Sequence, residues 1–267
     1  MRIVEQNSNT HSDDNKAEPQ LLYKYYKFDE DHPEYTEEIF TKNKIYFPSP
    51  KEFNDPFDSK VGLIYDATKK EWKQYLLQVY KRRRPDLTRK QRFAEVDQII
   101  KKRLHKKIPD NLGYSFLDQM GVFCMSAKKN DILMWSHYSA SHAGFCLEFN
   151  ATTEFFGRSQ KIIYKQNYPA VNFFRNSQQE KTEASLLTKA IFWEYEQEWR
   201  IIEHNKGPGV YTFPGEMLTG VILGCRITVE NKEKIHKWCN KREHRPILYE
   251  ARVKKKEFGL DIVAIDY

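Results

Sequence analysis

Several familiar signatures are missing from this chain of 267 residues. No G-x-x-x-x-G-K-[ST] occurs, which excludes a Walker-type phosphate loop. No G-x-G-x-x-G follows a strand, so the dinucleotide fingerprint of a Rossmann unit is absent. Neither H-E-x-x-H nor G-x-S-x-G occurs, which removes the common zinc-peptidase and nucleophile-elbow readings. The four cysteines, 124, 146, 225 and 239, form no Cys-x-x-Cys pair and no zinc spacing. No run of eighteen apolar residues exists, so no membrane-spanning segment is expected. The opening MRIVEQNSNTHSDDNKAEPQ has no apolar h-region and no small-residue cleavage site, so a secretory signal is not expected. Reduced cysteines in a cytoplasmic protein are the simplest expectation.

What is present is a normal globular share of apolar residues, 40%, with 17 Phe, 16 Tyr and 5 Trp. That is enough to build a core and to supply flat surfaces for stacking. The polar residues 1–18 are expected to form a disordered tail. Residues 19–267 are expected to form one α+β domain. The net charge of +7 is concentrated: residues 68–107 hold 15 Lys/Arg against 4 Asp/Glu, so the remaining chain is net negative.

Short apolar and Tyr-rich runs predict strands at LLYKYYKF (21–28), NKIYFPSP (43–50), MGVFCMSA (120–127), FCLEF (145–149) and QKIIYKQNY (160–168). EYEQEWRIIEH (194–204), LTGVILGC (218–225), PILYEARV (246–253) and FGLDIVAID (258–266) also read as strands. Helices are predicted around 33–41, over ILMWSHYSA with Asn130 or Asp131 as cap, over 183–193 and over 228–243. Residues 68–107 read as two helices broken at Pro85, with Trp72, Leu76, Val79 and Tyr80 on one face of the first. Leu87, Phe93, Val96, Ile99, Ile100 and Leu104 form a rough stripe on the second. The predicted architecture is mixed, largely antiparallel sheets with interspersed helices and an inserted basic αα-hairpin.

Four ordered blocks stand out: LYKYY (22–26), FPSPKEFNDPFD (47–58), CMSAKKNDILMWSHYSASHAGFCLEF (124–149) and KAIFWEYEQEWR (189–200). Together they resemble the signature blocks of a bacterial domain-of-unknown-function family, with L-Y-K-Y, F-N-D-P-F-D, M-W-S-H-Y-A and W-x-Y-E-x-E-W-R motifs. The resemblance covers most of residues 22–224 outside the basic insert. Met125 stands where that pattern has Phe, and Ser139 where it has Ala. The family brings no established activity, so the residues must be read for themselves.

Read as a strand, WEYEQEWR puts Glu194, Glu196, Glu198 and Arg200 on one face. Crowded carboxylates repel, and one can hold a proton at raised pH for acid–base work. The alternative is a solvated face on which Arg200 pairs with the acids. The Glu-x-Glu pattern also resembles the catalytic strand of ADP-ribosyltransferases. That similarity implies Glu198 as stabiliser of an oxocarbenium-like transition state, Glu196 as its partner, and NAD as substrate. Tyr138 or Trp135 would stack on nicotinamide; the alternative for Trp135 is that it packs into the core with Leu133 and Met134. His137, Lys24 and Asn54 would hold ribose and phosphates, with Tyr26, Asp55, Ser126, Ser136, His142 and Arg200 completing the pocket. The same analogy implies a toxin or anti-phage effector.

Two other readings stay open. A metal-dependent nuclease would use Asp55, Asp58, Glu196 and Glu198 on Mg²⁺. No metal is expected under the leading reading, because the His137/His142 spacing of five has no third ligand. A non-catalytic nucleic-acid-binding or sensor module would instead use the insert, through Arg82, Arg83, Arg84, Arg89, Lys101, Lys102 and Arg103.

Overall fold

The computed structural model describes residues 19–104 and 117–266. The predicted tail, 1–18, and the end of the insert, 105–107, lie outside the described residues. In chain order the elements are β1 (Leu21–Tyr26), α1 (Pro33–Thr41), β2 (Lys44–Phe47), β3 (Gly62–Ile64), α2 (Lys69–Arg83), α3 (Arg89–Lys101) and β4 (Gly121–Ser126). Then come α4 (Ile132–Tyr138), β5 (Phe145–Asn150), α5 (Glu154–Gly157), β6 (Gln160–Lys161), β7 (Ile163–Lys165), β8 (Ala170–Asn172) and α6 (Gln178–Leu186). The chain closes with β9 (Thr188–Ala190), β10 (Glu198–Glu203), β11 (Gly209–Thr212), β12 (Leu218–Leu223), α7 (Val229–Asn240), β13 (Ile247–Val253) and β14 (Leu260–Ala264).

Eight strands form the main sheet in the order β14-β13-β12-β5-β1-β4-β10-β6. Its neighbours are antiparallel except β12 and β13, so this is the mixed, mostly antiparallel α+β architecture that the element mix predicts. Both faces are covered. Phe145, Leu147 and Phe149 of β5 enter the larger core, and Cys146 between them enters a smaller one with Trp135. β1 divides in the same way, Leu22 and Tyr26 packing on the larger core and Tyr23 and Tyr25 on the smaller.

β1 pairs with β5 along its whole length, from Leu21 to Tyr26. With β4 it shares a single register pair, Tyr23–Ser126. The two strands therefore part along Lys24–Tyr26, and a gap opens in the middle of the sheet.

The basic hairpin is built by its caps. Thr68 and Glu71 form a capping box on α2, and Thr88 and Gln91 repeat it on α3. Lys73 pairs with Asp97 at 2.6 Å, which sets the helices antiparallel. Trp72, Leu76 and Val96 are buried, whereas Phe93 and Leu104 of the expected stripe are exposed. Trp72 meets Phe174 edge-on at 4.6 Å, tying the hairpin to the segment after β8.

The predicted helix 183–193 is corrected. α6 ends at Leu186, and Thr188–Ala190 pair in parallel with β7, Lys189 opposite Tyr164. A 3-10 turn, Ile191–Glu196, follows, and Gln197 takes a left-handed φ of 45°. The predicted strand from 194 therefore begins only at Glu198. Tertiary pairing has overridden the local helical preference of this segment.

α4 is capped by Asp131, whose carboxylate accepts from the N–H groups of Leu133 and Met134. It ends in three consecutive left-handed residues, Ala140, Ser141 and His142. Gly144 then passes β1 so closely that an added Cβ would stand 2.0 Å from the Tyr26 carbonyl oxygen. Backbone, not a side chain, blocks that space. Gly144→Ala is expected to cost about 3 kcal/mol of stability in urea unfolding. A cost under half of that would show that β1 and the α4–β5 turn can separate freely.

Candidate functional site

Of the residues singled out in the sequence, Lys24, Tyr26, Asn54, Ser126, His137, Tyr138, Glu196, Glu198 and Arg200 line one cavity of about 990 Å³. Lining residues come from both faces of β1 and β4, so the cavity runs into the gap between these strands.

At one end lies a buried ionic cluster. Arg200, on β10, is fully enclosed and spends all five of its N–H donors. Nε donates to Glu198 Oε1 at 2.7 Å, and Nη2 to Glu198 Oε2 at 3.1 Å. Nη1 and Nη2 grip Asp58 at 3.0 and 2.6 Å, and Nη1 also donates to the Leu186 carbonyl at 2.9 Å. Phe53 lies 5.2 Å beneath the guanidinium. The loop bearing F-N-D-P-F-D is thereby fastened to β10 and to the end of α6.

Lys189, on β9, sits among the acids. Its Nζ donates to Glu198 Oε2 at 2.9 Å, makes a short contact with Glu196 Oε2, and lies 3.9 Å from Asp58. Tyr138 Oη donates to Glu196 Oε1 at 2.7 Å from the end of α4. Tyr164 Oη accepts from the Glu198 N–H at 2.7 Å. Ser126 Oγ donates to the Glu196 carbonyl at 2.5 Å and accepts from Lys128 N–H at 2.9 Å.

Three carboxylates face two cations here, so one negative charge is in excess. The two glutamates share it unequally. Burial alone would raise Glu198, but Arg200 and Lys189 overcome it and hold the carboxyl well below the usual range. Burial raises Glu196, with Lys189 opposing and the Glu198 charge adding to the rise. Glu196 is therefore the acid that can exchange a proton, and Glu198 is the fixed anion. Burial opposes the charge on Lys189, but its two glutamate partners outweigh that and raise it, so the ammonium stays protonated. Cys124 stands beside Glu198, and burial pushes its thiol up to about 12, so it is no thiolate nucleophile at neutral pH.

At the other end the cavity is aromatic and of mixed charge, with Asp29, Glu38 and Glu52 among its lining residues and Lys44 paired to Glu38 at 3.1 Å. Lys24 is half-buried, with its Nζ 5.1 Å from the Phe123 ring centre and 6.0 Å from that of Tyr26. Among the described residues no acid pairs with it. Tyr35, Tyr46, Lys27 and Lys44 also line this end.

Four expected pocket residues lie elsewhere. Trp135 is enclosed in the smaller core, edge-on to Tyr25, and donates its Nε1–H to the Lys129 carbonyl at 2.9 Å. It cannot stack on a ligand in this cavity. Tyr138, three residues on, reaches the rim because α4 buries only one side. Ser136 is exposed outside the cavity. His142 stacks on Trp135 at 6.4 Å within the left-handed turn. Asp55 caps its own loop, accepting from Phe57 N–H at 2.8 Å. Glu194 is also exposed, because the 3-10 turn removes it from the strand face assumed for it.

Lys189, at the centre of the cluster, was not among the sequence candidates. It fell within the predicted helix 183–193, with no role assigned to it. The available signal was its place as the first residue of the fourth motif block. Among the described residues no group of three or more His, Cys, Asp or Glu side chains is arranged to hold a metal ion. No helix of these residues is long and apolar enough to cross a membrane.

The unequal sharing of charge makes opposite demands on the two glutamates. Glu198→Gln strips a buried anion from two cations and is expected to cost about 3–5 kcal/mol at neutral pH. Because the folded-state value of Glu198 is depressed, its contribution is present above about pH 4.5 and is lost as pH falls below that. The gap in stability between wild type and Glu198→Gln should therefore narrow in acid. Glu196→Gln removes an acid that burial disfavours and keeps polar atoms for Tyr138 and Lys189, so it should change stability by less than about 1 kcal/mol. Equal losses for both variants in denaturant titrations across pH would contradict this assignment.

No curated protein and no solved structure matches the chain. Residues 134–201, from α4 into β10, carry Tyr138, Lys189, Glu196, Glu198 and Arg200, and match the family described as protein of unknown function (DUF2971).

Proposed function

We propose that the cavity is an active site that breaks the nicotinamide–ribose bond of NAD, as an ADP-ribosyltransferase or an NAD glycohydrolase. The observation that carries this reading is the buried Glu196–Glu198 pair, whose titrations are pushed in opposite directions around one shared lysine. Such divergence is how two carboxyl groups take separate roles in one site.

In this reading the stabilising role moves from Glu198 to Glu196. Glu198 is saturated by Arg200 and Lys189 and serves as an anchor. Ionised Glu196, facing the cavity, stabilises positive charge on the ribose as neutral nicotinamide departs. It then takes a proton from the incoming water or acceptor hydroxyl. With water the balance is NAD⁺ and H₂O to ADP-ribose, nicotinamide and H⁺. Tyr138 shifts its hydroxyl from Glu196 to the ribose or stacks on nicotinamide. Lys24, which has no acidic partner among the described residues, takes the pyrophosphate, with Tyr26 beside it. A dinucleotide suits the cavity size, which is at the upper end for small-molecule sites. An NAD-consuming protein would act as a toxin or defence effector.

The test is nicotinamide release by the purified protein in EDTA. Glu196→Gln should lower kcat at least about 100-fold while the protein stays folded. Lys24→Ala should raise KM about tenfold with a much smaller change in kcat. Wild-type kcat should fall as pH drops through the raised Glu196 value, because the ionised form is required. Absence of release from folded protein between about pH 5 and pH 9 would sink the proposal. Cleavage of nucleic acid in Mg²⁺ that stops in EDTA would point to the metal-dependent nuclease instead.

A further inference from the structure

We infer that the α2–α3 hairpin binds nucleic-acid backbone without sequence preference, independently of the cavity's chemistry. Its charges are sorted. Each of its four acids is engaged internally: Glu71 by the Thr68 cap, Asp86 by Arg84, Asp97 by Lys73 and Glu95 by Tyr80. Arg84, one of the expected contacts, is therefore occupied. Arg89 lies over Phe93, 5.7 Å from the ring centre, while its neighbours stay free.

What remains exposed is cationic, in two groups. Lys81, Arg82, Arg83 and Lys90 cluster at the tip, where α2 ends and α3 begins. Lys69, Lys70, Lys101 and Lys102 cluster at the base, where the antiparallel helices meet the body. None of these eight has an acidic partner among the described residues. The groups are twelve residues apart on each helix, about 18 Å.

A polyanion long and dense enough to meet both groups at once fits this surface. Duplex nucleic acid presents one charge per about 1.7 Å of axis. A membrane fits less well, because the apolar residues Trp72, Leu76 and Val96 are turned inward and the outer face has no apolar stripe to insert. Exposed Phe93, with Arg89 and Lys73 near its ring, adds a platform on which an unpaired base can stack.

The experiment is fluorescence anisotropy with labelled duplex DNA, single-stranded DNA and RNA of about 25 nucleotides, over a series of salt concentrations. Polyglutamate and phosphatidylserine vesicles serve as competing polyanions. The full chain should bind nucleic acid with log K falling against log salt at a slope steeper than about −3. Lys81→Gln with Arg82→Gln and Arg83→Gln should weaken binding at least tenfold and flatten the slope. Nicotinamide release and the thermal melt should be unchanged. Lys101→Gln with Lys102→Gln tests the base group separately, should the tip variant fail to fold. No binding at low salt, equal displacement by polyglutamate or vesicles, or wild-type affinity and slope in both variants would each overturn the inference.

Discussion

The guanidinium of Arg200 is the constraint on which the rest depends. A buried cation with five directed donors must find five acceptors, or its burial is severely disfavoured. It finds them in Glu198, Asp58 and the Leu186 carbonyl, which belong to β10, the loop before β3 and the end of α6. The loop at Asp58, 142 residues away in sequence, is thus held with the end of α6 and β10 to one planar group. The same contacts close one end of the cavity, so the fold and the site share a single cause. A lysine at this position could not reproduce them, having three donors and no fork.

Lys189 then sets the difference between the two glutamates. Glu198 lies between two cations, whereas Glu196 shares one and receives a neutral hydroxyl from Tyr138. Both carboxyls are equally dry, and they differ only in what stands beside them. Swapping their neighbours would swap their chemistry. Ser126 holds the backbone of Glu196 in place, so β4 and the 3-10 turn jointly fix the distance between the acids.

Much of this was legible in the sequence, and for identifiable reasons. LLYKYY and GVFCMS fold as the strands that their Leu/Tyr-rich and apolar runs predict, with residues buried on both faces. The basic hairpin was visible because Trp72, Leu76, Val79 and Tyr80 recur at helical spacing and Pro85 supplies the break, whereas the caps at Thr68 and Thr88 are a finding of the structure. The glutamates and Arg200 were visible as a dense charge pattern. What the sequence hid depends on distant partners. β9 exists because β7 lies beside it, and nothing within TKA announces that. The inward turn of Lys189 follows from that pairing. Trp135 is roofed by Tyr25 whereas Tyr138, three residues on, reaches Glu196, and both partners are distant in the chain. The left-handed run at 140–142 has no glycine to signal it.

The parting of β1 from β4 changes how many edges the main sheet has. An open eight-stranded sheet should have two, here β14 and β6. Along Lys24–Tyr26, β1 has a ladder partner on one side only, and the facing part of β4 likewise, so two further edges lie inside the molecule, that of β4 partly taken up where Val122 N–H donates to the Pro48 carbonyl at 2.9 Å. An edge facing solvent invites another chain to pair with it. The β1 edge instead lines the cavity, which keeps its backbone donors and acceptors off the outer surface. They remain open to any small group that carries both an N–H and a carbonyl.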